Sequence, residues 1–223
     1  AMKDDEFEPK LGRGRAPRQR SYAQRVLRSA AKTGVRAGKR NRRFNGSRIG
    51  RGSGAARVLS SKNGYSAFRS RRVVVQARIV KLAGKGLGGA RAHLRYIQRD
   101  GVTREGEPGA LYDRENDRAE GKAFIERAEG DRHQFRFIVS PEDGDKYQDL
   151  KPFVRRLMDR MEKDLDTRLD WVAADHYNTG HPHSHVIVRG KDETGKDLII
   201  AREYITHGMR ERAAEIVSLD LGP

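Results

Sequence analysis

The run Asp175-His176-Tyr177-Asn178-Thr179-Gly180-His181-Pro182-His183-Ser184-His185-Val186-Ile187-Val188 holds four of the chain's seven histidines within ten residues. Val186-Ile187-Val188 is strand-forming, and residues i and i+2 of a strand share a face, so His183 and His185 project together while Ser184 points the other way. Upstream, Leu169-Asp170-Trp171-Val172-Ala173-Ala174-Asp175-His176 also reads as a strand, and the Asn-Thr-Gly-His-Pro stretch between the two runs is turn chemistry. A hairpin folds His176 back beside His183 and His185. Three neutral imidazoles would then surround one ion with positions left open, as metal catalysis requires. His181, in the turn behind Pro182, is the candidate for a fourth ligand, and a closed set of four would describe a structural ion instead. The bland alternative is a surface cluster of histidines without metal; three on one hairpin face weigh against it.

Working outward, Arg72 to Val80 is the first strand, with Val75, Ala77 and Ile79 alternating against Gln76 and Arg78, and is expected at the centre of the sheet. A glycine-rich turn over 83–89 leads into a helix from about Ala90 to Arg99 that stops before Asp100-Gly101. The turn lacks the GKS/T ending of a phosphate-binding P-loop. Residues 101–131 form a polar, charged excursion, followed by a second alternating strand, His133 to Ser140. Leu150, Phe153, Val154, Leu157, Met158, Met161 and Leu165 recur at three- and four-residue steps and give a core-facing helix. A short strand, Asp197 to Ile200, and a helix from about Thr206 to Leu219 complete the order β-α-β-α-β-β-β-α. That order argues for an α+β fold with a mostly antiparallel central sheet and helices packed on it.

Charge divides the chain. Residues 1–70 carry 19 Lys and Arg against four acids, a net +15, which leaves only +1 of the total +16 for the other 153 residues. Segments such as Lys39-Arg40-Asn41-Arg42-Arg43 offer almost nothing apolar to bury, so 1–70 reads as a basic, largely disordered N-terminal arm and 71–223 as one domain with a real core. An amphipathic helix between Ser21 and Thr33 is the exception within the arm. A polyanion is its expected partner, nucleic acid ahead of an acidic membrane, because large apolar anchors are scarce; a solubilising or targeting tail is the alternative. No stretch approaches the roughly 18 apolar residues of a membrane span, and no signal core follows the N-terminus, so the expectation is a soluble, cytoplasmic protein. The absence of cysteine fits a reducing compartment.

The nucleophile must be sought apart from the metal. Tyr96, in His93-Leu94-Arg95-Tyr96-Ile97-Gln98-Arg99, sits on a helix directly after the first strand between two cations suited to phosphate. Composition alone does not single it out among seven tyrosines, since a half-buried helical tyrosine is usually packing.

Three segments, Leu94 to Gly101, Phe137 to Pro141 and His176 to Val188, resemble the relaxases, the mobilisation nucleases of conjugative plasmids and integrative elements within the HUH endonuclease superfamily. The branch containing the T-DNA border endonuclease is the most similar. The histidine run is the specific part, and the order, tyrosine before hairpin, is that of relaxases; replication-initiator relatives usually place it after. The resemblance covers about residues 72–223 and leaves the arm unexplained. It implies an HUH endonuclease-like fold, Tyr96 as nucleophile, His176, His183 and His185 as ligands of a divalent metal, and Ser140 near the cleaved DNA. Asp175 would orient His176 or take the tyrosine proton. Asn178 stands where many relatives carry an acid. Arg95 and Arg99, with Arg40, Arg42 and Arg43 of the arm, are the expected nucleic-acid contacts.

The implied function is site- and strand-specific nicking and transfer of DNA at a transfer origin through a 5′-phosphotyrosyl intermediate, which conserves the bond energy for rejoining. Mg or Mn is the expected working metal, with Zn or Ni favoured by imidazole ligands in isolation. Accessory relaxosome proteins and a type IV secretion coupling protein are the implied partners, with translocation to a recipient cell a further implication. Three alternatives remain: a nucleic-acid-binding module with a structural zinc, a replication-initiator or transposase-type HUH nuclease, and a phosphoesterase using metal-bound water.

Overall fold

Alternation along the strands builds a sheet with two unlike faces. The computed structural model describes residues 50–61, 71–84 and 86–222, all within the unit Ser47–Pro223. The elements run α1 (Ser53–Ser61), β1 (Val73–Lys81), α2 (Gly88–Ile97), α3 (Gly121–Arg127), β2 (His133–Pro141), α4 (Lys151–Leu165), β3 (Trp171–His176), β4 (His183–Arg189) and α5 (Met209–Leu221). A π-helical turn, Tyr204–Gly208, leads into α5. The four strands pair antiparallel in the order β1-β2-β4-β3, so the α+β class with an antiparallel sheet is what the chain adopts.

On one face Trp171, Ala173, Val186, Val188, Phe135, Phe137 and Val139 pack against the apolar stripe of α4 and against α5. Phe153, Leu157, Met158 and Met161 of α4 are fully buried there, each contributing roughly 1.5–3 kcal/mol of transfer free energy. The other face carries Val172, Ala174 and Ile187, covered by Leu94 and Ile97 of α2 and Phe124 and Ile125 of α3. A Cβ on Gly121 would sit 2.6 Å from Leu94 Cδ2, so any larger residue there would push the Leu94 and Leu111 side chains aside.

Several expectations need correction. β1 lies at an edge of the sheet, and its alternation does not mark a buried strand: Val73 is buried, but Ile79 is 58% exposed because the α4/α5 layer does not cover that end. Residues 197–200 form no strand of the sheet; Asp197 and Ile200 make isolated bridges to Lys191 and Arg51. The excursion 101–131 contains α3, whose seven residues are too few to declare a periodicity. Residues 50–61, read as part of the arm, pack on the domain. Arg51 exchanges backbone hydrogen bonds with Ile199 and Ala201, and its guanidinium donates to the carbonyls of Leu165 (3.1 Å) and Asp166 (2.7 Å) at the C-terminus of α4, where a cation is favoured. Ala56 and Leu59 of α1 are buried. The helix expected between Ser21 and Thr33, and Arg40, Arg42 and Arg43, lie outside the described residues.

Candidate active site

His176 and His183 are direct cross-strand partners, and His185, two residues along β4, pairs with Ala174. All three therefore leave the sheet on the α2/α3 face. Their ring centroids lie 5.3, 4.4 and 5.1 Å apart, and one nitrogen from each falls within 4.8 Å of the others. Two nitrogens on one ion stand at most about 4.2 Å apart, twice a bond of about 2.1 Å. Three nitrogens on one ion stand closer still, about 3.0–3.6 Å apart at that bond length, so the rings would draw together on binding.

Hydrogen bonds fix which nitrogen faces inward. A carbonyl only accepts, so Nε2 of His176, 2.8 Å from the Ile97 oxygen, carries the proton, and Nδ1 of His183 does the same toward the His181 oxygen at 3.0 Å. That leaves His176 Nδ1 buried without a partner, an unusual state for a polar atom and one a metal would relieve. Burial is also the first cause holding the His176 pKa down at about 4, partly offset by the Ile97 carbonyl, and that of His185 at about 2, with the neighbouring histidines and Arg99 adding to it. Burial lowers His183 as well. The rings are neutral at pH 7, so an ion need displace no proton.

The turn is braced rather than ligating. The His181 carbonyl accepts from Thr179 Oγ1 (2.9 Å) and from the His183 ring, and its own ring is not among the three that converge. Ser140, buried at the end of β2, donates to the Pro182 carbonyl at 3.1 Å. It stands on the histidine face, two residues from Ile138, the partner of His185.

Tyr96 comes to this cluster on the last turn of α2, whose end is tied to β3 by the Ile97–His176 bond. Its ring, 40% exposed, meets His185 edge-on at 6.3 Å. The Arg99 guanidinium lies 4.3 Å over the Tyr96 ring, and its Nη1 is buried without a partner. Arg95 points to solvent. Asp175 is not brought to the site. It is the cross-strand partner of Ser184, on the opposite face from His176, and accepts from Ser184 Oγ (2.6 Å) and Tyr112 Oη (2.7 Å). Burial raises its pKa to about 6 despite those two donors. Its predicted role beside His176 fails because adjacent strand residues face opposite ways. Tyr112 is fully buried against it, and the Tyr177 hydroxyl accepts from the Leu150 amide at 3.1 Å.

One neighbour escaped the sequence reading. The His93 ring lies 6.3 Å from His185 and stacks at 6.2 Å on Tyr96; burial first, then Arg136 and Arg78, hold its pKa at about 4. The signal was its place one helical turn before Tyr96.

Residues 110–217, which include the hairpin and α4, match the family model described as "Relaxase: MobA/VirD2-like, nuclease domain". These residues are similar to the relaxase nuclease domain. The match supports the relaxase fold and a DNA-nicking nuclease of mobilisation, without singling out the T-DNA border branch, and a relaxase domain implies that DNA is bound. It covers the three histidines but begins after Tyr96. No curated protein matches the chain. Among the described residues no helix is long and apolar enough to cross a membrane.

Proposed function

We propose that this chain is a relaxase that cuts and rejoins one DNA strand at a transfer origin, with Tyr96 as nucleophile. The observation that carries the reading is the contact of the half-exposed Tyr96 ring with His185, at the rim of three buried histidines that present inward-facing nitrogens. In the step proposed, Tyr96 Oη forms a bond to the scissile phosphorus, the P–O3′ bond breaks, and the proton released by the phenol ends on the 3′-oxygen. The product is a 5′-phosphotyrosyl link and a 3′-hydroxyl, and the reverse step rejoins a strand without an external energy source.

His176, His183 and His185 would hold a divalent ion, Mg or Mn at work, with Zn or Ni the better match to the donor set. When bound, such an ion supplies polarisation of the phosphate and compensation for the charge developing there. Arg99 does a related task from the protein side. Its guanidinium lies over the Tyr96 ring, and its unpartnered Nη1 would pair with a non-bridging phosphate oxygen. Arg95 at the helix surface would contact the strand, while Ser140 holds the turn and lies where DNA would pass. In this reading 71–223 together with the packed residues 50–61 form the catalytic domain, and the basic residues before them, Arg40, Arg42 and Arg43 included, grip DNA through phosphates. Accessory relaxosome proteins, a type IV coupling protein, action in a bacterial cytoplasm and passage into a recipient cell belong to the same reading.

Incubating the chain with a single-stranded origin oligonucleotide and Mg or Mn, then seeking a covalent adduct on a denaturing gel, tests it. Mapping the adduct to a tyrosine other than Tyr96 would overturn the assignment, and a metal-dependent cut without any adduct would favour metal-bound water as the nucleophile.

A further inference from the structure

Beside the histidines the same sheet face carries a pair of charges that no part of the fold explains. Ile138 pairs with His185 on one side and with Gln76 on the other, so the residues two along from these, Arg136 and Arg78, stand on the histidine face. They are direct cross-strand partners. Like charges in that position destabilise a sheet, and neither guanidinium has an ion pair among the described residues. Arg136 is nevertheless held in place: it donates to the Gly89 carbonyl at 3.3 Å, and the Gln134 amide oxygen, turned toward it, accepts from both Nε and Nη2 at 2.6 Å. Both arginines line an open cleft of about 360 Å³ between β1 and the start of α2, whose wall also holds Lys81, Gly86 and Gly89 and no acid. Burial first, then Arg78, pulls the Arg136 pKa down to about 10. A cross-strand, acid-free arginine pair is costly alone and is relieved by an anion.

We propose that Arg78 and Arg136 form a phosphodiester-binding subsite that takes the backbone of single-stranded DNA next to the scissile phosphate, between the histidine cluster and the free edge of β1. The proposal rests on reading Tyr96 and the histidines as the cutting site. Strand spacing sets the path: Arg136 is one strand across and two residues along from His185, about 8 Å between backbones, and Arg78 lies one strand farther. His93 fills the interval, in ring contact with His185 and within the field of both arginines. The strand would therefore leave Tyr96 over His93 and exit across β1, which no further strand of the sheet covers.

The test uses the full chain carrying Tyr96→Phe, so that only binding is read, and a mixed-sequence single-stranded oligonucleotide titrated across a salt series. Adding Arg78→Ala with Arg136→Gln should lower the log–log salt slope by about 1.4, two contacts at about 0.7 each, which is roughly a 25-fold greater loss of affinity at 0.1 M than at 1 M salt. Arg78→Glu alone, at an exposed position, should weaken DNA binding and raise Tm, because it turns a repelling cross-strand pair into an attracting one. That opposition of stability and binding is not expected of a merely structural residue. An unchanged slope in both variants overturns the subsite. The covalent adduct, measured separately with Tyr96 intact, isolates the underlying reading: adduct with unchanged slope sinks the subsite alone, and a reduced slope without adduct sinks the cutting site and leaves a nucleic-acid-binding face.

Discussion

The two faces of one sheet make opposite use of the same alternation. Toward α4 and α5 the buried positions are apolar apart from Asp175 and Ser184, which hydrogen-bond to each other and, through Asp175, to Tyr112. Toward α2 and α3 the apolar cover stops at Ala174 and Ile187, and beyond it the strands present His176, His183, His185, Arg136 and Arg78. The first face is where burial stabilises the domain. The second gives up burial where it holds its chemistry, and the price is visible in imidazoles kept neutral and arginines without acids. The difference teaches that the polar pair on the closed face satisfies itself internally, whereas the polar residues of the open face gather where the apolar cover ends and leave His176 Nδ1 without a partner.

The comparison breaks most sharply at Tyr96. Tyr96→Phe should abolish the DNA adduct, a loss of more than about a thousandfold in strand cleavage, while binding of single-stranded DNA and Tm stay near wild type; gel and melting data on one preparation decide it. On the closed face, Phe153→Ala should cost about 3–5 kcal/mol of stability, read by denaturant unfolding, with the number of metal ions bound per folded chain unchanged. If that variant, still folded, lost its metal, the faces would not be independent.

Single alanine replacements of His176, His183 or His185 should each lower metal affinity by calorimetry at least tenfold, with circular dichroism to confirm folding. His181→Ala should lower it little, because the turn uses that residue's carbonyl and not its ring. Equal losses at His181 and His183 would mean a closed set of four ligands and a structural ion. Asp175→Asn sharpens the boundary between the faces: a carboxylate supporting a ligand histidine would cost about 10–100-fold in metal affinity when removed, and its position toward Tyr112 and Ser184 predicts a change under about threefold.

Smallest is the effect of pH on the metal-free protein. His176 and His185 refuse protons that the unfolded chain accepts below its histidine pKa of about 6.5, so their linkage lowers stability as pH falls from about 6.5 toward 4. Asp175, with its pKa raised to about 6, works the other way between about 6 and 4, since there the folded state holds the proton. These two histidines, with His183 and His93 lowered in the same sense, outweigh one carboxyl, so Tm should drop between pH 7 and 5. Metal should raise Tm more at pH 7 than at pH 5.

Much of this was legible in the residues. The hairpin, its turn and the shared face of the three histidines follow from a period of two and from Gly180 and Pro182, and α4 follows from its three- and four-residue steps. Asp175 shows the limit of reading neighbours along the chain, for adjacency in a strand means opposite faces. β1 shows another, because alternation tells that a strand is sided but not how far its cover extends. The packing of residues 50–61 hid behind their charge: Arg51 reads as one more basic residue until the end of α4 is seen to need a cation.

By itself the sequence determined the local periods, the three ligand candidates and the resemblance to relaxases, since each depends on residues close together in the chain. Only the tertiary structure decided the order of the strands, the meeting of Tyr96 and His93 with His185, and the pairing of Arg78 with Arg136. Those contacts join segments from about 60 to 90 residues apart, and which of them form is set by how helices and strands share one buried core, a property of the whole packing that no local stretch encodes.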